Sequence, residues 1–168
     1  MFLTVYMPTE YNADESLEKC IDVCAHLIAI ITDSCTPHVI IAGDFNCQPG
    51  SRLYGVLSHL ASDNNLVVTD LSLLSVNSDS FTYCSDNGAN TSWIDHVLCS
   101  YTMDIKISDM GIMYNCISSD HRPISFVETV NVLLLCRIAQ LMIILIPNLF
   151  SMIGLRLLLM MPTHILMY

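Results

Sequence analysis

Two short apolar runs separated by one long amphipathic segment limit what this chain can fold into. Residues 2–7, Phe-Leu-Thr-Val-Tyr-Met, are rich in strand formers and stop at Pro8. Residues 39–42, Val-Ile-Ile-Ala, form a second buried-strand run between Pro37 and Gly43. Between the two, Leu17, Cys20, Ile21, Cys24, Leu27, Ile28 and Ile31 recur at helical spacing, with Glu18, Lys19, Asp22 and Asp33 mostly elsewhere. Asn12 to Glu15 has the spacing of a capping box, with Asp14 as an alternative cap, and Ser34-Cys-Thr-Pro37 ends the helix. A strand, a helix-length crossover and a second strand imply a parallel or mixed α/β arrangement. The expected fold class is α/β (α+β) with mixed sheets.

The rest of the first 129 residues continues this alternation. Residues 51–62 read as a helix with Leu53, Val56, Leu57 and Leu60 inward, stopped by Asp63-Asn-Asn65. A short strand is expected at 66–69 and an irregular connection at 71–77. Further strands are expected at 80–84, 93–99, 104–113 and 124–128, separated by loops such as Ser85-Asp-Asn-Gly-Ala-Asn90.

Charge divides the chain near residue 130. All sixteen acidic residues lie between Glu10 and Glu128, against Lys19, Arg52, Lys106 and Arg122, so residues 1–130 carry −12. Residues 131–168 hold Arg137 and Arg156 and no acid. A body this acidic repels polyanions, which counts against a free-standing nucleic-acid binder. The eight cysteines form no CxxC pair and show no zinc spacing, so buried reduced thiols are expected. The N-terminus has no basic region before its apolar run, unlike a secretory signal.

Strand ends deliver the polar groups. Gly43-Asp-Phe-Asn46 follows the second strand and presents a carboxylate and a carboxamide two residues apart. Tyr6-Met-Pro8 closes the first strand, Ser92-Trp-Ile-Asp-His-Val97 opens a later one, and Ser119-Asp-His-Arg-Pro-Ile124 precedes the last. Such a set suits metal-assisted chemistry on a phosphate ester. His96 alternates away from Asp95 and reads as packing, and Trp93 and Phe126 read as core.

These four motifs, in this order, resemble the endonuclease/exonuclease/phosphatase superfamily, and most of all the endonuclease domain of LINE-type (non-LTR) retrotransposons. The resemblance covers about residues 2–129. It implies an incomplete four-layer αββα sandwich and Mg²⁺- or Mn²⁺-dependent hydrolysis of DNA phosphodiesters. By the same resemblance, Asp44 orients or deprotonates the attacking water, and Asn46 hydrogen-bonds the phosphate or that water. His121 stabilises the transition state, with Asp95 fixing its ring. Tyr6 contacts the phosphate, Ser92 supports the Asp95 loop, and Asp120 ligates or neighbours the metal. DNA is the implied partner and the nucleus or cytoplasm the implied location.

Relatives carry an Asn-bearing strand and a strand with a metal-binding Glu before the Tyr-x-Pro strand. This sequence starts at the latter, so the expectation is an N-terminally truncated domain with weak or no activity. Two alternatives remain: a phosphatase or phosphodiesterase acting on a small or lipid phosphate, and a non-catalytic remnant or membrane-associated protein. Residues 130–168 are expected to form an apolar tail outside the domain. Eighteen uncharged residues separate Arg137 from Arg156, and membrane contact through 132–161 is one expectation, although Pro147-Asn148 fits a span poorly.

Overall fold

The computed structural model describes residues 1–9, 13–74, 79–116 and 119–129, together with the backbone of 136–140 and 155–156. Strand β1 (Phe2–Tyr6), helix α1 (Ala13–Ser34) and strand β2 (Ile40–Asp44) form the expected unit, and β1 and β2 pair in parallel from Phe2–Ile40 to Tyr6–Asp44. Asp14 and Glu15 occupy the first turn of α1, where carboxylates favour the positive end of the helix dipole, and Glu15 also meets Lys19 at 2.7 Å. Asn12, the expected cap, lies outside the described residues. Past the last turn, Cys35 takes a left-handed φ of 51°, which closes the helix.

Helix α2 (Arg52–Asp63) starts one residue later than the sequence suggests, because Ser51 is its cap and accepts from the Tyr54 amide. Strand β3 (Leu66–Val68) runs straight into a short helix, α3 (Thr69–Leu73), where an irregular connection was expected. The expected strand at 80–84 is only β4 (Tyr83–Cys84), and the one at 93–99 is β6 (Asp95–Ser100), preceded by a separate short strand, β5 (Thr91–Ser92). Residues 104–106 are not extended: α4 (Tyr101–Asp104) is a single turn, and β7 (Ile107–Ile112) follows it. Strand β8 (Ile124–Thr129) is the last before residue 130. Short tail strands β9 (Cys136–Gln140) and β10 (Leu155–Arg156) pair with β8 and β1. The other tail residues, and with them the expected membrane contact, lie outside the described residues. Among the described residues no helix is long and apolar enough to cross a membrane.

One sheet runs β10-β1-β2-β6-β3, with β6 antiparallel to both β2 and β3, and a second runs β7-β8-β9. The architecture is an α/β sandwich with mixed sheets. Strand alternation sorts the side chains into two cores. Leu3, Val5, Val39, Ile41 and Leu98 face α1 and α2, where Cys20, Cys24, Leu27, Leu53 and Leu57 meet them. Ile40, Ala42, Val97 and Cys99 face the second sheet and pack on Met110, Ile124 and Phe126. Burying each large apolar side chain contributes about 1.5–3 kcal/mol, so both faces of the central sheet are stabilised. Cys20, Cys24, Cys47 and Cys99 are buried thiols, as expected, but Cys35 is exposed at the end of α1.

Gly43 sits where β1 and β2 approach most closely. A Cβ there would overlap the carbonyl group of Val5, its partner across the pair. Backbone rather than a flexible side chain blocks the space, so the strands themselves must part. Gly43→Ala is expected to destabilise the domain by about 3 kcal/mol or more. The shift of the urea unfolding midpoint against wild type measures it, and an unchanged midpoint contradicts the close approach.

Candidate active site

The same alternation that sorts the core also gathers the polar groups. Asp44 continues the face of Ile40 and Ala42, and Asp95 continues the face of Val97 and Cys99, so both carboxylates point between the sheets. They are direct partners across the antiparallel β2–β6 pair, and Tyr6 is the partner of Asp44 on the other side. Tyr6, Asp44 and Asp95 therefore form one row across three strands. The segment before β8 enters this end of the sandwich and delivers His121.

His121 is 6% exposed, and its Nδ1 lies 2.9 Å from Asp95 Oδ2 and 3.1 Å from Oδ1. A carboxylate only accepts, so Nδ1 carries the proton and Nε2 turns toward Asp44, whose Oδ2 is 4.0 Å away. That gap is too long for a direct hydrogen bond and leaves room for an oxygen to bridge them. Burial opposes charge on the imidazole, but the hydrogen bond and charge of Asp95, with Asp44 and Asp120 adding to them, raise its pKa above the ordinary value. Burial, reinforced by the charge of Asp95, pushes Asp44 up to about 7, against the amide of Asn46 and the two nearby histidines. A carboxylate that titrates near neutrality is suited to accept a proton.

Asn46 has a left-handed φ of 49°, which breaks the strand alternation. Its amide donates to Asp44 Oδ1 at 2.8 Å, and its side-chain Nδ2 donates to the Met7 carbonyl at 2.7 Å. It therefore holds one Asp44 oxygen and ties this turn to the end of β1. Tyr6 is half exposed, beside Asp44 in the β1–β2 register. Ser92 contributes mainly through its backbone, accepting from the Thr82 amide and pairing with Tyr83. Asp120 is exposed and accepts from Ser119 Oγ, on an open cleft of about 380 Å³ that Tyr83, Ser85, Asp86, Asn87 and Asn90 also line.

Two features were not read from the sequence. Thr82 is fully buried, and its Oγ1 accepts from the amides of both Ile94 and Asp95, at 3.0 Å each, which fixes the start of β6. His96 does face the opposite side of the sheet, as expected, but it is a buried polar partner of Asp70 and not simply packing. Tyr83 sets its ring edge against His121, with centroids 5.2 Å apart.

Among the described residues, no three His, Cys, Asp or Glu side chains converge closely enough to hold a metal ion. The donor chemistry agrees. Asp95 commits both oxygens to His121, Asn46 occupies one oxygen of Asp44, and the other faces an imidazole. One open carboxylate oxygen is not a coordination shell for a hard cation, so these residues alone do not fit an ion.

The sequence model of the endonuclease-reverse transcriptase family matches residues 1–125. The chain belongs to this family. Its fold is shared with a 3′ phosphatase from Neisseria bound to product DNA hairpin, at 17% identity and a TM-score of 0.63, over 77% of this chain and 61% of that one. It is also shared with an AP endonuclease from Archaeoglobus fulgidus, at 13% identity and a TM-score of 0.64, with the same coverage. The endonuclease domain of TRAS1, a telomere-specific non-LTR retrotransposon, is similar at 18% identity and a TM-score of 0.55, over 69% of this chain and 55% of that one. The chain thus spans about three fifths of the length of the first solved structures it matches. No curated protein matches.

Thr82 offers a direct check on how the site is held. Thr82→Val keeps the shape and removes the acceptor for two buried amides, each costing about 1–3 kcal/mol when unsatisfied. A loss of about 2–5 kcal/mol in urea-measured stability is expected, and a loss under about 0.5 kcal/mol contradicts the role.

Proposed function

We propose that this domain hydrolyses phosphodiesters, with DNA as the substrate class, as an endonuclease of a retrotransposon. The observation that carries the proposal is Asp95–His121 facing Asp44 across a 4.0 Å gap, in a chain of the endonuclease-reverse transcriptase family. In this reading a phosphate oxygen or the attacking water occupies the gap. Asp44 takes the proton of the water, which its raised pKa favours near neutrality. As an imidazolium, His121 presents Nε2–H to the phosphate and stabilises the charge that builds on it, while Asp95 accepts from Nδ1–H and fixes the ring. Asn46 orients Asp44, and the Tyr6 hydroxyl meets the phosphate from the open side.

Relatives in the superfamily generally use divalent metals, and a requirement for Mg²⁺ or Mn²⁺ is part of the proposal. Asp120, the exposed carboxylate beside His121, is the ligand proposed from this chain. The described residues form no cage for the ion. Slow turnover belongs to the same proposal.

The net charge of −12 over residues 1–130 favours a second reading, a phosphatase acting on a small phosphate ester, because a compact substrate meets less of the acidic surface than DNA does. One experiment separates the two readings. Purified full-length protein is given supercoiled plasmid, a 3′-phosphorylated oligonucleotide and an inositol phosphate, each with Mg²⁺, Mn²⁺ or EDTA. Slow plasmid nicking is expected, stopped by EDTA and reduced about 10²-fold or more in His121→Ala. Release of phosphate without nicking favours the second reading. Nicking that survives His121→Ala contradicts both.

A further inference from the structure

Asp95 and His96 are neighbours on β6, and alternation sends them to opposite faces of the sheet. Asp95 enters the candidate active site. His96 enters the helix side, where it is completely buried, and both its ring nitrogens are engaged. Nδ1 lies 2.8 Å from Asp70 Oδ2, and Nε2 lies 2.9 Å from the carbonyl oxygen of Cys47. A carbonyl can only accept. Asp70 already accepts from Trp93 Nε1 at 2.9 Å and the Val97 amide at 2.8 Å, so it too acts as an acceptor. Both ring nitrogens must therefore donate, and His96 is an imidazolium.

Cys47 follows the turn that carries Asp44 and Asn46. The near end of that turn is fixed where the Phe45 amide donates to the Ile94 carbonyl at 2.9 Å. Its far end is fixed by His96, whose ring also packs against Phe45 and Tyr54, with centroids 5.9 and 5.7 Å away. Between these anchors Asn46 keeps its left-handed backbone and its hold on Asp44. We infer that His96, held in place by Asp70, is a positioning residue that fixes the Asp44–Asn46 turn from behind the sheet through the Cys47 carbonyl. The catalytic side of this inference rests on the hydrolytic reading above; its geometric side does not.

A buried cation at this position costs desolvation, and removing either partner strands the other. Burial lowers the pKa of His96, but the hydrogen bond and charge of Asp70, with the Cys47 side chain adding to them, outweigh it and raise it to about 10. His96 thus stays charged through the neutral range.

The test uses the isotopically labelled full-length chain. In the wild type, NMR of the His96 ring is expected to show both nitrogens protonated at about pH 7, where an ordinary histidine is mostly neutral. A neutral ring overturns the inference. In His96→Gln, or in Asp70→Asn if the first variant does not fold, amide exchange at Asn46 is compared with that at Leu57 in α2. Asn46 is expected to exchange at least about tenfold faster with Leu57 unchanged, the mark of a locally released turn. Equal acceleration at both sites means general destabilisation and overturns the inference, as does no change at Asn46. Where the wild type hydrolyses a phosphodiester, kcat is expected to fall about tenfold or more with KM within about twofold. A wild type that hydrolyses nothing defeats only the hydrolytic reading, since ring protonation and exchange still decide the positioning role.

Discussion

The site depends on the antiparallel pairing of β2 with β6, which sets Asp44 directly opposite Asp95. Opposed residues in such a pair lie close, so two carboxylates there repel unless a proton or a cation intervenes. His121 supplies that proton from just before β8, and the Nδ1–H it donates to Asp95 offsets the repulsion on one side. Asp44 is left without such a partner, with a pKa pushed up to about 7 by burial and the charge of Asp95. The register that builds the hydrophobic face of the sheet therefore also builds a proton-accepting group. A one-residue slip would send Asp44 and Asp95 to opposite sides of the sheet.

This arrangement explains why the structure invests in fixing a few backbone atoms. Gly43 lets β2 lie against Val5, so that Tyr6 and Asp44 stay in register. Thr82 holds the amides of Ile94 and Asp95, and Arg122 returns a backbone bond to the Thr82 carbonyl, linking the Asp95 and His121 segments. The Asp70–His96 pair grips the other face of β6. Each device fixes main chain near a strand end, where side-chain direction is otherwise least determined. The acidic surface around the site is a separate property: it weakens encounter with a polyanion without altering this geometry.

Much of this was legible in the sequence. The runs at residues 2–7 and 39–42 pointed to a parallel or mixed arrangement, of which β1 and β2 are the parallel part, and the four motifs identified Asp44, Asn46, Asp95 and His121, which the fold brings together. Tyr6 joins their row through β1 register. Asp120 and Ser92 were named for their motifs, but Asp120 points outward and Ser92 acts chiefly through its backbone. Thr82 was invisible because nothing in the expected strand at 80–84 marks its hydroxyl as the acceptor for an amide 13 residues later. Asp70 was hidden because an Asp beside a short strand reads as a loop residue; only the fold shows it 2.8 Å from His96, 26 positions later. The α3 turn was missed for the same reason, since five residues carry too little periodicity to separate helix from loop.

The central claim is that Asp95 holds His121 as a charged, oriented ring facing Asp44. A pH titration of the His121 ring nitrogens by NMR, in wild type and in Asp95→Asn, tests it most directly. The account expects the wild-type pKa to lie above the ordinary histidine value, with Nδ1 the protonated nitrogen once the ring is neutral. In Asp95→Asn the value should fall, because burial then acts without its main opponent. A wild-type ring that titrates normally, or one indifferent to Asp95→Asn, contradicts the account.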